Sequence, residues 1–413
     1  MIFHRSLIEA VAGLLCDIFL RRHYAEQRLA VVLASNKKWG SRDRRFIAET
    51  TYEIVRYKRL AEAMAGIAEA RTESDCRLVV CAWLGWIHQT TTLLPDHAEP
   101  WREQALLSLP DIATRYSEAL RIRAVKESIP DWLDEKGLAA FGLTEWEAIL
   151  TALNQPTATI LRVNTLKADK SQVQQRLEAE LDAETDCLAG YPDALCLKNR
   201  KNLLTSRLYA QGCFEIQDAA SQTVAPYTGV EAGMTVIDAC AGAGGKTLHL
   251  AALMQNKGRL IALDVSATKL KILQERAQRA GIKILETKIV GSINDIQCYK
   301  GCADRLLLDV PCSGIGVLRR HPGTKWKLTP VQIAELRLLQ AQLLSRYSSM
   351  LHPKGQLTYA TCSILPEENQ QQVNDFLLSE NPAGYRFQLV NRQTLLPNID
   401  GFDGFYMANL SIK

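Results

Sequence analysis

From Asp238 to Thr247 the chain reads Asp-Ala-Cys-Ala-Gly-Ala-Gly-Gly-Lys-Thr, directly after an apolar strand and directly before a helix beginning near Thr247. Gly242, Gly244 and Gly245 permit positive φ and let bare backbone approach a ligand at a helix N-terminus. A strand, a glycine-rich turn and a helix in that order open a doubly wound α/β sheet. The pattern continues downstream, where Thr235–Asp238, Arg259–Asp264, Ala303–Asp309 and Gln356–Ala360 read as strands separated by helices. The longest of those helices starts with Thr329 as N-cap and Pro330 as first residue, and its expected buried stripe is Ile333, Leu336, Leu339, Leu343, Leu344 and Tyr347.

The rest of the 413-residue chain divides by character, and the fold class expected is α/β with a helical start. Residues 1–125 carry helical spacing, beginning with Leu7, Ile8, Val11, Leu14, Leu15, Ile18 and Phe19, with Ser6 and Glu9 read as a capping box. Similar spacing runs through Arg44–Ala70 and Arg77–Leu94. Residues 126–215 form a small α/β unit, with strands at Thr159–Val163 and Ala194–Leu197 around a helix at Ser171–Leu181. Residues 216–413 are the doubly wound unit. Charge is uneven across this plan. Arg21–Arg59 holds eleven Lys or Arg against four acids, a local +7 inside a total of +4, so the remainder is slightly acidic. That segment is either a phosphate-contacting face or an ordinary solvated one.

Composition excludes several classes. With 47% apolar and 23% charged residues the chain is ordered rather than disordered. Eleven cysteines without regular spacing argue against a disulfide framework and for reduced thiols in the cytoplasm. Glu9 and Asp17 interrupt the apolar start, so no signal peptide is expected, and the longest charge-free apolar run, Leu78–His88, falls far short of the ~20 residues that span a bilayer. No cysteine pair joins a histidine pair at metal-ligand spacing, so no metal is expected. The seven histidines, His249 and His321 among them, lack a carboxylate or serine partner at a recognisable motif and read as surface or core imidazoles.

The turn implies a nucleotide-like cofactor. Lys246-Thr247 fits the end of a P-loop, but that motif requires its first glycine at position 240, which is Cys240. Asp264 closes the next strand at the place where such sheets put the carboxylate for a ribose diol, which suits NAD or S-adenosylmethionine equally. The strand ends that follow separate the two. Leu308-Asp309-Val310-Pro311-Cys312-Ser313-Gly314 and Tyr359-Ala360-Thr361-Cys362-Ser363 place two cysteines at the carboxyl ends of neighbouring strands. A thiolate is a soft nucleophile and the C6 of a pyrimidine is electrophilic; sulfur addition at C6 makes C5 nucleophilic enough to accept a methyl group. The bland alternative is that each cysteine is a small buried hydrophobe.

These residues carry a family resemblance. Cys-Ala-Gly-Ala-Gly-Gly-Lys, Asp-Val-Pro-Cys-Ser-Gly, and Ala-Thr-Cys-Ser followed by Pro366-Glu-Glu-Asn369 resemble the motifs of the RsmB/NOL/NOP/Sun family of RNA (cytosine-C5) methyltransferases. Leu161–Lys167, Phe214–Gln222, Arg319–Pro322 with Lys325-Trp326, and Asp403–Ala408 support it, and Ser41-Arg-Asp-Arg-Arg45 resembles a NusB-like RNA-binding domain. The resemblance implies a NusB-like helical domain, an RRM-like subdomain and a Rossmann-like methyltransferase domain. It implies that Cys362 attacks cytosine C6, Cys312 assists release of the product, and Asp309 binds the cytosine edge near the methionine end of the cofactor. Cys240, Ala241, Gly242, Ala243, Gly244, Gly245 and Lys246 would wrap S-adenosylmethionine, with Asp264 on its ribose. RNA, above all 16S ribosomal RNA, is the implied partner, and the protein is expected to act as a monomer. A tRNA substrate, or a non-catalytic assembly role on the same scaffold, stays open. One departure is Gly291-Ser292, where the family has Gly-Asp near the adenine; Asp295 is the available substitute.

Overall fold

The computed structural model describes residues 4–90, 107–199, 201–379 and 384–413. It forms two compact units, Met1–Asn154 with Arg320–Leu328, and Gln155–Arg319 with Thr329–Lys413. Residues 91–94 of the expected helical start lie outside the described residues.

The first unit is helical. Helices Arg5–Leu15, Ser41–Arg56, Lys58–Ala65 and Glu73–His88 bury one another's apolar faces, with Ile8, Val11, Leu14 and Leu15 meeting Ile47, Ile54, Met64 and Val80. The expected capping box at Ser6 and Glu9 is not formed. The helix begins two residues earlier, at Arg5, with His4 as an N-cap whose side chain makes no capping bond, and Glu9 instead pairs with Arg5 at 3.5 Å and Arg77 at 4.0 Å. Much of the +7 charge is used inside the unit. Arg21 and Arg28 both bind Asp17 at 2.5 Å, Lys58 binds Glu62 at 2.9 Å, and Arg59 binds Asp131 at 2.6 Å. Arg44 donates to the carbonyls of Leu33, Asn36 and Trp39 and so closes the loop between two helices. Lys37, Lys38, Arg42 and Arg45 are exposed. Residues 320–328 bind the end of helix Ser41–Arg56: Trp326 Nε1 donates to Val55 O at 2.7 Å and Lys325 Nζ to Arg56 O at 2.9 Å, satisfying carbonyls that a helix terminus leaves open.

The second unit holds two sheets. In the smaller, β1 (Ile160–Val163), β2 (Thr185–Cys187), β3 (Ala194–Leu197) and β4 (Phe214–Ile216) pair antiparallel in the order β2-β3-β1-β4, with helix Lys170–Leu181 packed through Val173 and Leu177. The larger contains β5 (Thr235–Asp238), β6 (Arg259–Asp264), β7 (Leu285–Ile289), β8 (Ala303–Asp309), β9 (Leu351–Thr361), β10 (Phe387–Leu395) and β11 (Phe405–Ile412) in the order β10-β11-β9-β8-β5-β6-β7. β5 to β9 run parallel, while β10 and β11 close one edge antiparallel. β5 lies between β6 and β8, so the chain reverses direction across the sheet there, and the crevice for a ligand opens outside the carboxyl ends of these strands. Helix Pro330–Tyr347 starts on the Thr329 cap as read, but its inner face differs from the expected stripe. Leu339 is exposed, and Gln340 is fully buried in its place because Pro311 O and Glu368 take up its amide.

Candidate active site

The glycine-rich turn is held from three sides. Gly242 and Gly244 take φ of 54° and 89°, and a Cβ on Gly244 would meet Leu273 Cδ1 at 2.0 Å, so only glycine fits there. At Gly242 nothing lies within 4 Å of where a Cβ would stand, which leaves a backbone cradle open at the turn. Arg276 donates to Ala243 O and Arg162 to Gly245 O, each at 2.6 Å. Arg162 is fully buried, which pushes its pKa down to about 10, and it also binds Gln217. Asp264 Oδ2 accepts from Gly242 N and Oδ1 from Ser266 N, both at 2.8 Å; each oxygen keeps a lone pair for a hydroxyl. The residues that fix the turn, Arg162, Gln217, Arg276 and Glu215, whose Oε2 accepts from Arg276 at 3.0 Å, have no role assigned from sequence. Arg162 and Gln217 sit inside quoted motifs, but only their convergence from distant strands gives them one.

Asp238 lies beneath the turn, 1% exposed, with Oδ2 accepting from Thr247 Oγ1 at 2.7 Å. Burial pushes its pKa up to about 7, against the Thr247 hydroxyl and with help from Asp309. An unfolded Asp releases its proton near pH 4, so between about 4 and 7 the folded state holds more protons and stability falls as pH rises. Asp238→Asn is therefore expected to raise stability at pH 8, by at most about 4 kcal/mol, with the gain vanishing toward pH 4. Melting curves across that range test it, and an equal gain at both ends contradicts it.

At the ends of β8 and β9 the reactive groups converge. Lys246 Nζ donates to Asp309 Oδ2 at 2.6 Å and lies 5.2 Å from the Phe405 ring centroid. Burial works against the ammonium, but the charge and hydrogen bond of Asp309 outweigh it and raise the Lys246 pKa. Cys312 and Cys362 stand with their sulfurs 3.1 Å apart, and both are half-buried. The hydrogen bond to Cys362, then burial, then the charges of Cys362 and Glu368 hold the Cys312 thiol well above its usual range, so Cys312 keeps its proton. Cys240 is also raised, by burial and by Asp238, Asp309 and Asp264, which makes it an inert thiol in the turn.

The remaining sequence candidates fall elsewhere. Asp295 Oδ2 accepts from Gly291 N at 2.9 Å and Ser292 N at 2.7 Å, so this oxygen shapes its own turn. His249 and His321 do have carboxylate partners, from distant segments: Asp193 at 3.3 Å and Glu26 at 2.8 Å. His249 is buried, which pushes its pKa down to about 4 and keeps it neutral. Among the described residues no group of three or more His, Cys, Asp or Glu could hold a metal ion, and no helix is long and apolar enough to cross a membrane.

A seven-stranded sheet with this strand order and a glycine-rich turn after its first parallel strand is a Rossmann-like methyltransferase fold. In agreement, the structure of NSun6 from Pyrococcus horikoshii with SFG superposes with a TM-score of 0.62 at 20% identity, covering 69% of this chain and 98% of that one. Residues 229–411 match the family model for 16S rRNA methyltransferase RsmB/F, and residues 129–203 match the RsmF/B ferredoxin-like domain. A probable ribosomal RNA small subunit methyltransferase B of Synechocystis is 36% identical over 299 residues, which are 68% of this chain and 66% of that protein. The ribosomal RNA small subunit methyltransferase B of Shewanella oneidensis is 31% identical over 415 residues, 92% of this chain and 94% of the relative. The chain belongs to the RsmB/F family.

Proposed function

We propose that this protein transfers a methyl group from S-adenosylmethionine to C5 of a cytosine in small-subunit ribosomal RNA. The observation that carries the proposal is the 3.1 Å approach of Cys312 and Cys362 at the ends of adjacent strands, beside the glycine-rich turn. The open cradle at Gly242 and the free lone pairs on Asp264 suit the cofactor; residues 240–246 would hold its methionine part and Asp264 its ribose. When bound, the cofactor supplies an electrophilic methyl group.

The chain's own groups then divide the work. The Cys362 thiolate bonds to C6 and the electron pair moves through the ring to N3. Lys246, already paired with Asp309, donates the proton that N3 takes up, while the Asp309 carboxylate accepts from the cytosine amino group. C5 thereby becomes the nucleophile. Once Cys362 is bonded to the base, the two influences it exerts on Cys312, its hydrogen bond and its charge, are gone. Cys312 can then give its proton to water and, as thiolate, take the C5 proton. The C5–C6 double bond reforms, Cys362 leaves, and N3 returns its proton to Lys246. Exposed Lys37, Lys38, Arg42 and Arg45 of the helical unit supply phosphate contacts. Nucleoside analysis of small-subunit RNA after incubation with the protein and S-adenosylmethionine tests the reading, which requires 5-methylcytidine as the product.

A further inference from the structure

The thiol pair stands on a buried carboxylate that neither the glycine-rich turn nor the proposed chemistry uses. Glu368 is 0% exposed. Its Oε1 accepts from Ser313 N at 2.9 Å and Gln340 Nε2 at 3.0 Å, and its Oε2 is 2.5 Å from both the Ser313 and the Ser363 hydroxyl. Ser313 follows Cys312 and Ser363 follows Cys362, so one carboxylate grips the residue after each thiol. The residues before them are held by the same cluster. Gln340 also donates to Pro311 O at 2.9 Å. Asn369 accepts from Thr361 Oγ1 at 2.6 Å and donates to Ser363 O at 2.9 Å, bracketing Cys362 on both sides. Tyr359 of β9 donates to Glu368 O at 2.7 Å and fixes the hub to the sheet.

A buried carboxylate costs several kcal/mol of desolvation unless donors compensate it, and well-packed apolar residues usually serve stability as well or better. Four donors on one carboxylate, drawn from both thiol-bearing loops and the helix over them, indicate that geometry is what the charge secures. Beyond one backbone bond between the loops, from Gly316 N to Cys362 O at 3.0 Å, neither thiol sits on a strand: Cys312 lies three residues beyond β8 and next to Pro311, and Cys362 is one residue beyond β9.

We propose that Glu368 is a positioning residue for the reaction, its carboxylate tying the loop after Cys312 to the loop after Cys362 so that both sulfurs address one base. The role rests on the cysteine chemistry proposed above. Two readouts separate the claims. Diamide oxidation of the purified protein, mapped by peptide mass, measures how readily Cys312 and Cys362 meet and needs no methylation. Steady-state kinetics measures catalysis.

Glu368→Gln is expected to keep the fold, to slow Cys312–Cys362 disulfide formation about tenfold, and to lower kcat about 10²-fold with KM for RNA within about threefold of wild type. Ser313→Ala combined with Ser363→Ala, which leaves the carboxylate in place but cuts both hydroxyl ties, is expected to move the same quantities in the same direction and serves if the Gln variant does not fold. An unchanged crosslinking rate, an unchanged kcat, or a raised KM alone overturns the role of Glu368. Full methylation by Cys362→Ala overturns the cysteine chemistry instead, and leaves the crosslinking comparison to decide whether Glu368 sets the distance.

Discussion

Cys362→Ala lowers methyl transfer by on the order of 10⁴-fold or more, measured as label from S-adenosylmethionine entering small-subunit RNA. The size follows from the ring chemistry. C5 of cytosine is a poor nucleophile until a group adds at C6, and without the sulfur no other side chain at the site can add there. Cys312 is 3.1 Å away at the end of the neighbouring strand, placed in the proposed reaction to take the proton from C5 rather than to add at C6, so it does not inherit the role. The loss appears in kcat alone. The bonds that hold the glycine-rich turn come from Arg162, Arg276 and Asp264, and removing one sulfur from a half-buried position costs about 1 kcal/mol, so cofactor binding and melting point stay near wild type. Activity within tenfold of wild type would remove Cys362 from the nucleophile's place.

Cys312→Ala produces the opposite failure. Addition at C6 and methyl transfer proceed, but no base removes the C5 proton, and the Cys362–C6 bond has no route to break. The expected result is a protein–RNA species that survives a denaturing gel and vanishes on ribonuclease treatment. The Cys312→Ala, Cys362→Ala double variant yields none, because no sulfur remains to form the bond. An adduct in the double variant means that neither thiol forms the bond to the base, and none in Cys312→Ala with one in Cys362→Ala means that the two thiols are assigned the wrong way round. The accompanying fall in turnover is on the order of 10²-fold or more, since proton removal by a positioned base contributes about that much.

What the sequence made visible here was local. The glycine spacing from Gly242 to Gly245 and the apolar runs ending in Asp264 and Asp309 are short-range patterns, and strands and turn lie where those patterns put them. Cys312 and Cys362 could be brought to one sheet edge because each directly follows such a run. The β9 strand starts at Leu351, ahead of the Gln356 read from sequence, because Pro353 and Gly355 look like turn residues. β10 and β11 were missed: β10 alternates poorly, with Gln388, Asn391, Arg392 and Gln393 along it, and gains its structure only by pairing with β11. Side chains whose partners are far away in sequence stayed hidden for the same reason. Gln340 reads as an outward residue beside Leu339 until Pro311 O and Glu368 are seen to need its amide. Arg21, Arg28 and Arg59 read as a basic face until Asp17 and Asp131 are found beside them. The chemistry-bearing residues were readable because motif and strand end coincide; the groups that hold them in place were not, because holding is a long-range property.

The central claim is that this chain methylates C5 of cytosine in small-subunit ribosomal RNA, and bisulfite sequencing of that RNA from cells lacking the protein addresses it most directly. The account predicts that a cytosine protected from conversion in the parent becomes convertible in the deletion. It further predicts that protection returns when the wild-type chain is restored and does not return with Cys362→Ala. Retention of every protected cytosine in the small-subunit RNA of the deletion would contradict it.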